Sequence, residues 1–218
     1  MEIVAEGVEV IGAHGPLLAP TSLRMRDGRL RLVTGEPNAG HTALALVLSG
    51  RLRPTRGTVR LDGAADAGAL RRSVAVVDAP EITEPDGAVS VRDVAAEGLS
   101  LAGRRSGRRR TRAWLSEHEL DDCADERFEN LVPAQRTRLL VELACEGRST
   151  KALVLDQPDR HGGDPAAWYA LAARQAARGM AVAVLCSPHS ADQLGVPRAR
   201  IGADDREQST SDSLEGVR

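Results

Sequence analysis

The sequence predicts an α/β fold built on a mostly parallel β-sheet. Three short apolar segments, Ser73–Asp78, Ala152–Leu155 and Met180–Cys186, have the continuous hydrophobicity of strands that are buried on both faces. Segments with helical periodicity alternate with them, and such alternation is typical of parallel sheets flanked by helices. A glycine-rich turn, Gly35–Thr42, joins a predicted strand to a predicted helix.

The N-terminal part of the chain is predicted to be antiparallel β-structure. Residues 2–11 alternate apolar and polar side chains, which is the pattern of a half-buried strand. Ser22–Met25 and Arg29–Thr34 are predicted to pair as a hairpin, because Asp27-Gly28 between them favours a two-residue turn. After the glycine-rich turn, a helix is predicted to end near Gly50, and a short strand follows at residues 57–62.

A helical insertion is predicted from about residue 85 to about residue 130. It contains two predicted helices, Val91–Leu101 and Arg112–Leu120. The stretch between them is too polar and too rich in glycine to enter a core, and Arg104–Arg112 carries six arginines. We interpret this stretch as a solvated basic loop, with a contact to anionic lipid headgroups or to an acidic partner as the alternative.

Two further helices and a polar tail complete the predicted order. Pro133–Glu146 has one apolar face, and Pro165–Arg178 begins with an Asp164 cap and a proline at its first position. Residues 1–202 are predicted to form one domain. Residues 203–218 are polar and are predicted to be disordered.

Composition excludes several classes of function. The net charge is −2 and aromatic residues make up 2% of the chain, which argues against nucleic-acid binding. Three widely spaced cysteines, Cys123, Cys145 and Cys186, argue against a disulfide framework or a zinc site. The sequence shows no signal peptide and no apolar run long enough to span a membrane, so any role at a membrane is expected to depend on a partner.

The glycine-rich turn has the spacing of a phosphate-binding P-loop. It reads Gly35, Glu36, Pro37, Asn38, Ala39, Gly40, His41, Thr42. Glycines let backbone N–H groups curl around phosphate oxygens, and the Thr42 hydroxyl is placed to bind Mg²⁺. His41 occupies the lysine position, and histidine is largely neutral where lysine carries a full charge. The sequence therefore predicts a P-loop NTPase-like fold with weakened phosphate binding, and a glycine-rich turn without a ligand is the alternative.

A carboxylate at the end of a buried strand is the second predicted part of the site. Asp156 follows the apolar segment Ala152–Leu155 and is predicted to hold Mg²⁺, directly or through water. The strands that precede Gly35 and Asp156 are predicted to lie side by side. Gln157 cannot take up a proton at useful pH, but its amide can orient a water molecule. A turn carboxylate before Pro158 is the alternative for Asp156.

From about residue 2 to about residue 200, the order of segments resembles the nucleotide-binding domain of ATP-binding cassette (ABC) proteins. The segment Leu48–Gly63 is similar to the family's sequence directly after the P-loop helix. Further matches are Asp156–Asp159 to the Walker B segment, Leu131–Gln135 to the signature, Gly163–Pro165 to the D-loop, His189 to the switch histidine and His14 to the position near the adenine-stacking aromatic.

Several of these matches depart from the family pattern. The signature has lost its Ser-Gly-Gly core, and Pro133 there has no N–H to donate. Ala79-Pro80 stands where the family's glutamine is expected, and the family's lysine and catalytic glutamate are replaced by His41 and Gln157. These losses predict a cassette that binds ATP but hydrolyses it slowly or not at all.

The resemblance also implies cofactors, partners and a location. ATP and Mg²⁺ would be bound by the P-loop, His14 and Asp156, with Gln157 and His189 addressing the γ-phosphate and water. The chain would form a homo- or heterodimer with another cassette and dock on an integral-membrane permease from the cytoplasmic side. Two alternatives stay open: a pseudo-ATPase that acts as an assembly or regulatory module without nucleotide, and another P-loop enzyme such as a small-molecule kinase.

Overall fold

The computed structural model describes residues 1–203 and contains two β-sheets. A three-stranded antiparallel sheet has the order β2-β1-β4, and a five-stranded parallel sheet has the order β5-β6-β7-β3-β8. The strands are β1 (Glu2–Gly12), β2 (Gly15–Arg26), β3 (Leu30–Thr34), β4 (Arg56–Leu61), β5 (Val74–Val77), β6 (Ala152–Asp156), β7 (Ala181–Cys186) and β8 (Arg198–Arg200). This architecture confirms the predicted α/β fold class with its N-terminal antiparallel portion.

In the described part of the chain, seven α-helices connect and cover the strands. They are α1 (His41–Leu48), α2 (Ala67–Ser73), α3 (Val91–Leu101), α4 (Arg108–Glu117), α5 (Pro133–Cys145), α6 (Pro165–Ala177) and α7 (Pro188–Leu194). Single 3₁₀ turns lie at Phe128–Asn130 and Pro158–His161. The side chains of Ser90, Asp164 and Ser187 accept hydrogen bonds from the first-turn amides of α3, α6 and α7, which is why these helices begin where they do.

The parallel sheet lies between two hydrophobic cores. Every residue of β6 and β7 is buried. Leu153 and Leu155 of β6 point into the core shared with α3 to α6, whereas Val154 points into the core shared with α1 and the antiparallel sheet. Burial on both faces explains the continuous apolar sequence of these strands.

The predicted hairpin between Ser22–Met25 and Arg29–Thr34 is wrong. β2 pairs with β1, and β3 pairs with β7 and β8 in the other sheet. Asp27-Gly28 is therefore a crossing between sheets, where the Asp27 carboxylate binds the N-terminal ammonium group at 2.5 Å. The last three residues of β3 are buried, and only the interior of the parallel sheet offers that burial.

The prediction that the strands before Gly35 and Asp156 lie side by side is also wrong. β7 lies between β3 and β6 and pairs in parallel with both. The wholly apolar β7 takes the central position because both of its faces must be covered. As a result, the carboxyl end of β7 at Cys186 lies beside the glycine-rich loop.

The helical insertion is confirmed in outline and corrected in detail. Helix α3 has the predicted bounds, but α4 begins at Arg108 rather than Arg112 and ends at Glu117. Its buried face is formed by Thr111, Trp114 and Leu115. Arg108, Arg109 and Arg110 form its first turn, so they belong to a helix and not to the predicted loop. Arginine is a good helix former, and the non-helical stretch shrinks to residues 102–107.

Three short elements were not predicted from the sequence. α2, α7 and β8 have seven, seven and three residues, which is too few for a periodic signal. The predicted disordered tail lies, apart from Ala203, outside the described residues. Within residues 1–203, no helix combines the length and the apolar character needed to cross a bilayer.

Candidate nucleotide-binding site

The glycine-rich loop connects β3 to α1 in a conformation that two residues make possible. Asn38 and Gly40 have φ angles of 66° and 99°. A Cβ atom at Gly40 would lie 2.2 Å from the carbonyl oxygen of Leu17 in β2. Position 40 therefore requires glycine both for its backbone angle and for the close approach of β2.

Free backbone amides line this loop. Ala39 N–H donates to Glu36, but the amides of Gly40, His41 and Thr42 donate no hydrogen bond within residues 1–203. His41 and Thr42 form the first turn of α1, where the helix dipole is positive. Unpaired donors at a helix N-terminus after a glycine turn are suited to phosphate oxygens.

Thr42 and Asp156 are brought together as the sequence predicted. The Thr42 hydroxyl donates to Asp156 Oδ2 at 2.6 Å. Asp156 is fully buried, and its Oδ1 has no hydrogen-bond partner. Burial raises the pKa of the Asp156 carboxyl, while the Thr42 hydrogen bond and the nearby His41 oppose that rise.

This pair fits a small divalent cation. A hydroxyl and a carboxylate with one unpartnered oxygen supply the hard oxygen ligands that Mg²⁺ prefers. The positive charge of an ion would also compensate the buried carboxylate, which forms no ion pair with a basic side chain within residues 1–203. Asp156 and Thr42 are thus the residues that would hold the metal.

His41 lies against the sheet. Its side chain is almost fully buried, and Nε2 lies 3.3 Å from the carbonyl oxygen of Cys186. A Cβ at Gly35 would lie 3.0 Å from the same nitrogen, so the ring packs across the start of the loop. Burial raises the pKa of the Cys186 thiol to about 12, so this cysteine is an inert neighbour of the loop.

The two predicted catalytic side chains lie in different places. Gln157 directly follows Asp156, with φ at 51°, and its N–H donates to the Leu185 carbonyl at 2.9 Å. His189 is exposed on α7 and contacts Gln193 at 3.1 Å between their Nε2 atoms. Among the described residues, no hydrogen bond or ion pair connects His189 to Asp156 or to the loop.

Asp159 makes the contact between these regions that sequence reasoning missed. Its Oδ2 accepts hydrogen bonds from Ser187 N–H at 2.9 Å and from the Ser190 hydroxyl at 2.7 Å. It therefore fixes the turn after β6 to the beginning of α7. The sequence signal was an acidic residue three positions after Asp156, followed 28 residues later by a capping serine.

The turn between β1 and β2 lies beside the P-loop because Leu17 approaches Gly40. His14, on this turn, is exposed, as the predicted adenine contact requires. Ile11 and Leu17 are exposed by 47% and 54%. Sequence reasoning named only His14 here, but the structure adds two exposed aliphatic side chains that offer a flat apolar surface.

A partly buried ionic cluster adjoins the site, formed by the buried Asp78 and Arg136 and the half-buried Glu84, Arg160 and His161. Arg136 of α5 binds the Asp78 carboxylate with two hydrogen bonds, Nε–Oδ2 at 3.0 Å and Nη2–Oδ1 at 2.7 Å. It also reaches Glu84 Oε1 at 2.7 Å. The guanidinium carbon of Arg136 lies 4.3 Å from the ring centre of Phe128, a cation–π contact.

Arg160 and His161 connect the ionic cluster to the turn after Asp156. Arg160 Nη1 donates to the carbonyl oxygens of Asp78 and, at 3.1 Å, of Asp156. His161 Nε2 lies 3.3 Å from Asp78 Oδ2. The segment after β5, the first turns of α5 and the turn after β6 are thereby held together, and sequence reasoning had identified none of these contacts.

The ionic cluster is a salt-bridge network rather than a metal centre. Asp78, Glu84 and His161 do place ligand atoms within 4.8 Å of one another. However, the two arginines already neutralise the two carboxylates. Burial alone would raise the pKa of Glu84, but the two arginines hold it below its ordinary value. Burial and Arg136 lower the pKa of His161, so it is neutral at pH 7.

The segment Leu131–Gln135 forms the beginning of α5. Val132 is 57% exposed, and Pro133 is the first helical residue. Gly163, with φ at 85°, lies against Pro133, since a Cβ at Gly163 would be 2.9 Å from the proline Cβ. The amides of Ala134 and Gln135 still form an exposed helix N-terminus, even though the segment lacks hydroxyl side chains.

Comparison with known proteins places the chain in a family. The family model described as "ABC transporter" matches residues 18–160, or 143 of the 218 residues. The chain is 31% identical over 165 residues to a hemin import ATP-binding protein of Pseudomonas entomophila, covering 70% of this chain and 63% of the relative. It is also 31% identical over 156 residues to an ABC transporter ATP-binding/permease protein of Mycobacterium tuberculosis, covering 69% of this chain but 18% of that protein.

The fold agrees with this assignment. A solved ATP-binding subunit of an ABC transporter superposes with a TM-score of 0.66 at 17% identity, covering 100% of this chain and 95% of that one. The chain spans less than two thirds of the length of the curated relatives. The family match and the shared fold lead to one conclusion: this chain belongs to the ABC transporter family.

Proposed function

We propose that this chain is the ATP-binding subunit of an ABC-type transport system, with weak or absent ATP hydrolysis. The observation that carries the proposal is the pairing of Thr42 with the fully buried Asp156, whose Oδ1 has no partner. This pair lies at the start of α1, beside the unpaired amides of the loop. A buried, unpaired carboxylate is costly in a protein without a ligand, and a metal-bound nucleotide would offset that cost.

Each residue of the site has a role in this proposal. The amides of Gly40, His41 and Thr42 would bind phosphate oxygens, with Gly35–Ala39 shaping the loop. Thr42 and Asp156 would hold Mg²⁺, which shields phosphate charge when bound. Ile11, His14 and Leu17 would contact the base, by apolar packing more than by ring stacking.

Weak hydrolysis follows from the side chains around the phosphate position. The Gln157 amide can orient a water molecule but cannot accept its proton. The His41 nitrogen already has the Cys186 carbonyl as a partner, so it supplies less positive charge to phosphates than a lysine would. His189 is turned toward Gln193. Loss of one electrostatic contributor typically lowers the rate of a catalysed step by about 10²–10³. The effects of several such losses do not simply multiply, because the residues of a catalytic site act together.

Partners are proposed from the same family assignment and from one groove. An open groove of about 530 Å³ lies between β5, α3 and α5, with Leu101 exposed by 82% and Ile82 by 50% on its wall. This groove is lined by apolar side chains and by charged ones such as Arg51 and Glu97, and such a lining suits a short amphipathic helix of an integral-membrane permease. A second cassette, identical or different, would face the loop with the N-terminus of its α5, and the chain would work at the cytoplasmic face of the membrane.

A pseudo-ATPase without nucleotide is the second candidate function. It is favoured by the contact of His41 Nε2 with the Cys186 carbonyl oxygen, which gives the side chain at the lysine position a partner within the protein. In that case the chain would serve assembly or regulation through its fold alone.

Calorimetry separates the two candidates. The purified chain is titrated with ATP in excess Mg²⁺, then with ATP and a chelator, while phosphate release is followed over hours. Micromolar to submillimolar binding that requires Mg²⁺, with negligible phosphate release, supports the proposal. Rapid phosphate release would refute weak hydrolysis, and no binding at millimolar ATP would leave the pseudo-ATPase.

A further inference from the structure

The beginning of α4 carries an unusual concentration of unpaired positive charge. Arg105, Arg108, Arg109, Arg110 and Arg112 are all exposed, and none forms an ion pair with another described residue. The sixth arginine of the run, Arg104, binds Glu146. The whole chain has a net charge of −2, so this is a local feature.

Elsewhere on the surface, arginines commonly have acidic partners. Arg24 and Arg26 share Glu2, and Arg60 binds Glu6 at 2.6 Å. On α4, by contrast, the first turn contains no acidic residue. The positive end of the helix dipole therefore adds to the charge of Arg108, Arg109 and Arg110 instead of offsetting it. This arrangement is unfavourable within the chain and becomes favourable next to an anionic partner.

The shape of the patch indicates a broad partner. Three consecutive helical residues point about 100° apart, so Arg108, Arg109 and Arg110 spread around the helix end rather than converge on a single anion. Exposed arginines spread over the end of a helix match an anionic membrane surface, which offers phosphates over a wide area.

We infer that the basic segment from Arg105 to Arg112 binds the anionic headgroups of a lipid bilayer directly. The exposed arginines of this segment contact headgroup phosphates. In the proposed function, the chain reaches the membrane only through a permease. A direct contact with lipid headgroups therefore goes beyond that proposal. It requires no nucleotide, so it stands or falls separately from ATP binding.

Vesicle binding by the full-length chain tests this inference. The protein is sedimented, without nucleotide, with vesicles of three parts phosphatidylcholine to one part phosphatidylglycerol, and with pure phosphatidylcholine. The variant Arg108→Gln/Arg109→Gln/Arg110→Gln is compared with Arg53→Gln/Arg72→Gln/Arg148→Gln. The control removes three other exposed arginines without ion pairs, so both variants change the net charge equally.

We expect binding to the anionic vesicles only, weakening as salt rises from 50 to 500 mM. Each arginine near an anionic surface changes partitioning about fivefold, so the α4 variant is expected to bind roughly 100-fold more weakly than the parent chain. The control variant is expected to bind within a few-fold of it. Thermal unfolding of both variants checks that they are folded. No binding of the parent chain, or equal weakening by both variants, would overturn the inference, and the first result would direct attention to an acidic protein partner.

Discussion

Asp156 is unfavourable in the empty protein, and under the proposed function it is the residue that holds the metal. Its carboxylate is fully buried, and within residues 1–203 only the Thr42 hydroxyl donates a hydrogen bond to it. His41 differs from Asp156, because its side chain, at the position of the family's lysine, already has the Cys186 carbonyl oxygen as a hydrogen-bond partner. Both residues therefore give predictions in which stability and ligand binding respond differently.

Asp156→Asn is expected to raise the melting temperature of the nucleotide-free protein and to abolish its stabilisation by Mg²⁺-ATP. The amide removes a buried negative charge and can still accept the Thr42 hydrogen bond. Differential scanning fluorimetry with and without Mg²⁺-ATP measures both effects. A variant that is still stabilised by Mg²⁺-ATP would exclude Asp156 as the metal ligand.

The raised pKa of Asp156 also sets a pH dependence. Between the ordinary carboxyl value of 3.8 and the raised folded value, the folded state binds more protons than the unfolded state. The contribution of Asp156 to the free energy of unfolding therefore falls as pH rises through this window, then stays constant. Subtracting the Asp156→Asn profile from that of the parent chain isolates this contribution.

His41→Lys is expected to tighten Mg²⁺-ATP binding about tenfold or more. A lysine adds a charge-assisted hydrogen bond to phosphate, which typically contributes about 1.5–3 kcal/mol. Calorimetry gives the dissociation constant. Ser149→Lys, which adds the same charge on an exposed loop, is the control. Equal tightening in both variants would mean that net charge, and not the loop, causes the effect.

Among the secondary-structure elements, the ionic cluster decides how α5 and the turn after β6 meet the segment that follows β5. Arg136 of α5 crosses to Asp78 after β5, and Arg160 ties the turn after β6 to the same carboxylate. Fully buried ion pairs stabilise little against apolar replacements, but removing one partner leaves an unpaired charge. The cluster therefore specifies one relative position for these three elements.

Arg136→Met is expected to lower the free energy of unfolding by about 1.5–3 kcal/mol, because the buried Asp78 carboxylate loses two charge-assisted hydrogen bonds and keeps only Arg160 as an arginine partner among the described residues. Arg138→Met, two residues along the same helix, breaks an exposed pair with Glu119 and is expected to cost less than about 1 kcal/mol. Urea unfolding measures both. Adding Asp78→Asn to Arg136→Met should restore part of the loss, and a double variant as unstable as the single one would contradict the charge argument.

His161 is expected to make stability depend on mildly acidic pH. Its pKa is lowered below the ordinary value of 6.5, chiefly by burial and then by Arg136. Below pH 6.5 the unfolded chain therefore binds the proton first, and the contribution of His161 to stability is lost as pH falls toward the lowered folded value. His161→Gln should flatten the urea-unfolding profile between pH 7.5 and 5. An unchanged profile would show that His161 does not titrate differently on folding.

At the scale of the whole molecule, the two sheets meet at the glycine-rich loop. The Leu17 peptide of β2 touches Gly40 so closely that no side chain fits, and this contact places the β1–β2 turn beside the loop. The candidate base surface thus belongs to the antiparallel sheet, and the candidate phosphate site belongs to the parallel sheet. The contact at Gly40 sets the distance between them.

Gly40→Ala is expected to destabilise the protein by several kcal/mol more than Gly179→Ala. The φ angles are nearly equal, 99° and 96°, so both substitutions carry the same backbone strain of about 1–2 kcal/mol. Only at Gly40 would the new Cβ collide with another strand, since nothing lies within 4 Å at Gly179. Thermal unfolding compares them, and equal losses would show that the sheets can separate without cost.

Elements with a local cause could be predicted from the order of residues alone. Continuous apolar runs fixed β6 and β7, the Asp164-Pro165 cap fixed the beginning of α6, and glycine spacing located the loop with Thr42. Asp156 could be named because a charged side chain directly after a wholly apolar strand is unfavourable unless a ligand or a hydrogen bond compensates it. None of these conclusions needed knowledge of a distant contact.

The spatial relations between segments, by contrast, depend on packing across the whole folded chain. Hydrogen-bond pairing placed β7 between β3 and β6 and sent β2 to the other sheet, although the Asp27-Gly28 turn favoured a hairpin. The ionic cluster joins residues up to 83 positions apart, from Asp78 to His161. Sequence patterns report which face of an element is apolar, but the choice of partner depends on how all faces are covered together, and that is a property of the assembled chain.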